Sequence, residues 1–190
     1  MGLTKEIEDV EDFFENRMVT TMNSNCQNLK IFNIGLPVNT LTLEGLAILV
    51  EYLSGNITLH RLKKIAFRVI IVDMMCSGAD FIECFNLLRN DYNVEQNIAF
   101  NTVTRVFRGG GFTKDYLYLT GFVQMLRFWE EQHDLVPLLV GKTSLLYYNT
   151  IEEMIGREMI SPPKFITKSI LKPKTEQNNS IYSYILSGLK

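Results

Sequence analysis

Few residues in this chain have the chemistry of catalysis, and their spacing narrows the choice further. Its 190 residues include two histidines, His60 and His133. Neither belongs to an HExxH pair or a Cys/His cluster, the arrangements that bring enough ligands together for zinc. Both read as surface or helix-end residues. The three cysteines, Cys26, Cys76 and Cys84, are odd in number and have no paired spacing. That argues against a disulfide framework and for a reducing compartment. Cys76 and Cys84 lie in apolar helical context and read as core fillers.

Anion chemistry is better represented. In "TRVFRGGGFTKDYLYL", Arg105 and Arg108 stand three apart at the end of one helical pattern, and Lys114 and Asp115 open the next. Three glycines between them permit backbone conformations that a Cβ forbids. Such a corner can hold a carboxylate or phosphate on helix N–H groups and guanidinium forks. It can equally be a helix cap with two solvated arginines and an aspartate meeting the helix dipole. "VGKTS" (140–144) tempts towards a nucleotide site, but the pattern GxxxxGK[ST] needs glycine at 136, where this chain has Val136. Glu44 and Glu51 lie seven apart and share a helix face. Placed in a first helical turn, Glu44 gains about 0.3–1 kcal/mol from the dipole and needs no function to explain it.

Composition sets the frame for these residues. The chain is 46% hydrophobic, enough for a core, with 19 basic against 21 acidic residues. No basic excess or stripe points to nucleic acid. The acidic start "MGLTKEIEDVEDFFENR" lacks the features of a secretory signal, and Glu6 stands where a myristoylation pattern wants Ser or Thr. The longest apolar run, "VIIVDMMC", is short and broken by Asp73. A soluble, cytoplasmic chain with no membrane partner is expected.

The periodicity is mainly helical and predicts a multi-helix array with an extended, Pro-containing tail. A short acidic helix is expected over 4–15, indeterminate polar sequence over 18–28, and a strand or extended segment over 29–37. Helices follow over 42–53, with Thr42 as N-cap, and over 59–76, its apolar stripe Leu62, Ile65, Ala66, Val69 and Ile70 interrupted by Asp73. Further helices are expected over 80–89, buried through Phe81, Ile82, Phe85 and Leu88, over 94–107, and over 114–131. Two short helices meeting at Gly141 come next. From Ser161 the prolines Pro162, Pro163 and Pro173 predict an extended tail, with a last turn at "IYSYIL".

Three ordered blocks resemble one known family. "LEGLAILVEYLSG", "TRVFRGGGFTKDYLYLTG" and "LLVGKTSL" are similar to blocks of the QEGLA-motif family. It includes bacterial proteins described as flavohemoglobin expression-modulating and the animal carboxypeptidases that trim the C-terminal tyrosine of α-tubulin. The resemblance covers about residues 18–190, leaving 1–17 as a segment unlike the family. It implies the C-terminal lobe of a gluzincin-like zinc metallopeptidase, with Glu44 as third zinc ligand although Leu43 departs from the usual Gln or Glu. It further implies Arg105 and Arg108 as the clamp for a substrate carboxylate, and Tyr118 or Lys114 as oxyanion or substrate contacts. The family's HExxxH, laid on this chain, falls on Asp12-Phe13-Phe14-Glu15-Asn16-Arg17, without either histidine or the catalytic glutamate. The expectation is therefore a truncated member, inactive alone and without bound zinc. Its partner would be a peptide or protein C-terminus, and an exposed cleft would favour self-association. A non-catalytic peptide-binding or regulatory helical module is the alternative.

Overall fold

The computed structural model describes residues 15–109 and 112–174. The helix expected over 4–15 and the turn at "IYSYIL" lie outside them, apart from Glu15, which is helical. Among the described residues the fold is mainly α, with no strand. The helices are α1 (residues 15–25), α2 (Pro37–Leu53), α3 (Leu59–Cys76), α4 (Phe81–Asn86), α5 (Gln96–Phe107), α6 (Phe112–Glu130), α7 (Tyr148–Gly156) and α8 (Lys168–Leu171). The chain divides into two compact units. The larger is discontinuous, formed by residues up to Ile57 and from Thr120 onward, and the smaller runs from Thr58 to Leu119.

In the larger unit α2 begins five residues earlier than its periodicity suggests. Pro37 takes the first helical position, where its missing N–H costs nothing, and Leu36 is the N-cap. The segment before it is not a strand: Lys30–Asn33 form a 3-10 turn. Thr42 is therefore no cap. It sits inside the helix, and its hydroxyl accepts the Leu145 N–H at 2.9 Å. From Gly45 to Leu53 every residue of α2 is buried. Leu46, Ile48, Leu49, Val50 and Leu53 have no exposed surface, each worth about 1.5–3 kcal/mol of burial.

Gly45 explains how so tight a packing is reached. A Cβ there would lie 2.2 Å from the Gly121 carbonyl, and a Cβ on Gly121 would lie 2.3 Å from the Leu41 oxygen. The two backbones of α2 and α6 touch, and only glycine fits at either point. Tyr52, the penultimate residue of α2, packs its ring on Phe122 and Trp129 of α6.

Two further devices close this unit. Gly141 lets the chain pass against Phe32, whose Cβ would be 2.7 Å from an added methyl. The Lys142 N–H then donates to the Phe32 oxygen at 2.8 Å, and its ammonium to the Asn33 oxygen at 3.0 Å. Asn39 donates to the Lys142 oxygen at 2.8 Å. The GKT triplet is thus a structural staple. The tail is extended over residues 161–167, as its prolines predict, then turns into the short α8, and it is tied to α1 and the residues just after it. Asn23 donates to the Phe165 oxygen and accepts from the N–H groups of Lys164 and Phe165, while Gln27 bonds both backbone groups of Ser161. The polar stretch after residue 18 is helical to residue 25, and its Asn23 and Gln27 amides are spent on these distant partners.

The smaller unit packs α3, α4 and α5 around Ile71, Val72, Cys84, Leu88, Val94, Ala99, Val103 and Val106. Asp80 and Glu83 form a reciprocal capping box at the start of α4, and Leu87–Asp91 continue it as a π-helical turn. Three side chains are placed differently from their sequence expectation. Asp73 faces solvent and does not interrupt the stripe, which runs through Leu62, Ile65, Ile71 and Val72. Ile82 is exposed, on the side of α4 away from buried Cys84 and Leu88. Cys76 is exposed at the end of α3, whereas Cys84 is buried and its thiol is pushed above its ordinary pKa by that burial.

Substituting Gly45 by Ala should destabilise by about 1–3 kcal/mol or more, since the added methyl meets backbone that cannot move away. Gly156→Ala, in α7 with open space around it, should instead be neutral or stabilise by up to about 1 kcal/mol. Urea unfolding of the two variants checks the opposite signs. Asn23→Ala should cost about 1–3 kcal/mol and speed proteolytic cleavage near residue 165.

Candidate functional site

Glu44 lies about two turns into α2, too far from its N-terminus for the dipole to hold it. Its side chain is 4% exposed, and burial on this scale requires a compensating partner. Arg17 supplies one: its Nη2 donates to Glu44 Oε1 at 2.5 Å, within the larger unit. The arginine side chain is 46% exposed, so its stem reaches from the surface of α1 into the buried carboxylate. Arg17 falls on the second histidine of HExxxH as laid on this chain. Positions 12 and 13, which would carry the first histidine and the glutamate, lie outside the described residues. Among the described residues no three His, Cys, Asp or Glu side chains gather as a metal site. His60 is exposed in the first turn of α3, and exposed His133 stacks on Phe128 just beyond α6.

The basic residues form a different constellation from the one their spacing suggests. In the smaller unit Arg105 bonds Asp115, with Nε 3.0 Å from Oδ1 and 3.3 Å from Oδ2. Arg68 of α3 lies 3.6 Å from the same oxygen. Asp115, in the first turn of α6, is buried. It serves as the counter-ion of two arginines rather than as a dipole-compensating surface acid. Arg108, by contrast, is the exposed C-cap of α5. Lys114 extends over the ring of Tyr118, its Nζ 5.8 Å from the centroid. Such a contact is worth about 0.5–1 kcal/mol at an exposed site.

Arg105 instead joins Lys64 and Arg68 around a cavity of about 240 Å³, completed by Ile98, Asn101 and Thr102. Lys64 and Arg68 are four apart on α3, a spacing that puts both on one face. That signal was readable, but nothing in the sequence ties it to a helix 40 residues later. Arg68 is held below the ordinary arginine range, first by burial and then by the like charge of Arg105. Neither basic neighbour of Arg105, Lys64 or Arg68, was singled out from the sequence, nor was the pairing of Arg17 with Glu44.

Comparison with known proteins bears on this geometry. No curated protein and no solved structure gives a significant match. The sequence does match a family described as microtubule-associated tyrosine carboxypeptidase, over residues 16–189. The matched span takes in Arg17, Glu44, both glycines of the α2–α6 contact and the Arg105–Asp115 pair. With nearly its whole described length inside that span, the chain belongs to the microtubule-associated tyrosine carboxypeptidase family.

Proposed function

We propose that this chain is a non-hydrolytic member of its carboxypeptidase family, one that recognises a peptide or protein C-terminus without cleaving it. One observation carries the reading: the carboxylate that the family resemblance assigns to zinc is faced by the guanidinium of Arg17. A catalytic zinc draws three protein ligands and keeps a position for water. The described residues offer Glu44 alone, and a cation already holds it, so this donor set does not fit the metal. Without the metal there is no polarised water and no hydrolytic step to derive.

Recognition does not need the metal. A C-terminal carboxylate is read by guanidinium forks, and we assign that task to Arg105 and Arg108, with Tyr118 and Lys114 against the substrate. Arg108 is exposed and Arg105 is 39% exposed, so a ligand can reach both. The exposed apolar side chains Met18, Ile31, Ile34 and Val38 offer a surface for self-association. No helix among the described residues is long and apolar enough to cross a membrane.

Two measurements test the reading. The full chain, equilibrated with zinc and dialysed, should retain well under one ion per molecule by metal analysis, and should release no tyrosine from a peptide ending in that residue. One tightly held zinc per chain, or steady tyrosine release, would sink the proposal of a silent centre. The same peptide should bind with its carboxylate free and lose affinity about tenfold when amidated. Equal binding of the two forms removes the assignment of the arginines.

The ion pair itself can be measured. A double-mutant cycle of Arg17→Met and Glu44→Gln should return a coupling of about 1–3 kcal/mol in urea unfolding. A coupling near zero would show that the pair does not stabilise the buried carboxylate.

A further inference from the structure

The cavity between α3 and α5 has a charge that the C-terminus reading does not use. We propose that it is an oxyanion pocket that takes a dianionic phosphate-type group through Arg68, Arg105 and Lys64. The proposal shares Arg105 with the reading above but does not rest on it.

Charge is the first argument. Three cations line the cavity, and Asp115 is the carboxylate paired with two of them, Arg68 and Arg105. Three positive charges against one negative leave an excess of two. A single carboxylate would offset half of that excess, whereas a phosphate-type dianion matches it. Burial and the like charge of Arg105 both work against the Arg68 cation, and an anion between them relieves the second cost directly.

Donor geometry is the second argument. The Arg68 Nε–H is buried and makes no hydrogen bond to any described protein atom, an arrangement that costs free energy unless a ligand or water completes it. Arg105 spends its Nε on Asp115, which leaves its terminal nitrogens for a second acceptor. Lys64 is exposed at the rim and provides a mobile point charge, and Asn101 beside it can donate through its amide. Thr102 contributes no donor, because its hydroxyl is given to the Ile98 oxygen at 2.7 Å. Ile98 closes one wall with apolar surface. The volume corresponds to roughly eight waters at about 30 Å³ each, room for one phosphate group and part of its hydration.

The test titrates inorganic phosphate into the full chain at constant ionic strength and follows the ³¹P linewidth, with acetate as competitor in a parallel series. Saturable broadening is expected, with acetate competing at least about tenfold more weakly. Lys64→Gln should weaken phosphate binding about tenfold, whereas Lys30→Gln in the larger unit should leave it unchanged. Arg68→Gln should abolish binding, but Arg68 also braces buried Asp115. The exposed Lys64 variant, checked for an unaltered circular dichroism spectrum, therefore carries the result if the other does not fold. Absence of saturable binding, or undiminished binding by Lys64→Gln, overturns the proposal. Acetate or a free peptide carboxylate competing as well as phosphate also overturns it, and hands the pocket to C-terminus recognition instead.

Discussion

Helix α2 is surrounded on every side over nine consecutive residues, Gly45 to Leu53, and the larger unit is organised by that constraint. More than two turns of helix with no face to water need neighbours all round, a demand usually met by a helix that is apolar throughout. Here the neighbours come close enough for backbones to touch at Gly45 and Gly121. The same enclosure takes in Glu51, which has no exposed surface, with Glu44 at its margin. A buried carboxylate is tolerated only with compensation. For Glu44 that includes a cation from a different helix, so the packing of α2 dictates what α1 must carry at residue 17.

This changes what the family blocks report. Gly45 and Gly121 are where two helices meet. Gly141 and Lys142 bind the chain after α6 to the 3-10 turn before α2. Asn23 and Gln27 fasten the tail. Much of the pattern that marks the family is therefore a record of close packing and long-range hydrogen bonds, which a member can keep whether or not its chemistry is intact. Residues that belong to chemistry alone are fewer. At one of them, Arg17, a side chain too long and too charged to be a metal ligand meets the carboxylate that the resemblance assigns to the metal.

Legibility in the sequence followed from how locally each feature is determined. The helices α3, α5 and α6 were readable because their apolar repeats and their caps lie within the segment itself. The start of α2 was not, since Pro37 can end an extended segment as readily as it opens a helix. Residues 18–28 were opaque for a related reason: Asn, Thr and Ser have weak helical preference, and the partners that reward Asn23 and Gln27 lie more than 130 residues away. At the site, Arg105 and Asp115 were both singled out, ten residues apart. Their direct bond could not be read, because the glycine run between them allows many paths. Glu44 was recognised by its motif, but its depth in the helix and its ion pair were set by the misjudged helix start.

The discontinuity of the larger unit has a consequence for how the chain is made. The internal contacts of the smaller unit fall between residues 58 and 119, and they are available as soon as α5 and the start of α6 leave the ribosome. Asn23 waits for Phe165, 142 residues downstream, and Leu53 accepts its last bond from Lys174. The N-terminal helices must therefore stay open until most of the chain has been synthesised, with α2, the most apolar of them, exposed in the interval. During synthesis the vulnerable stretch is thus the same "EGLA" helix that is best protected once the protein is complete.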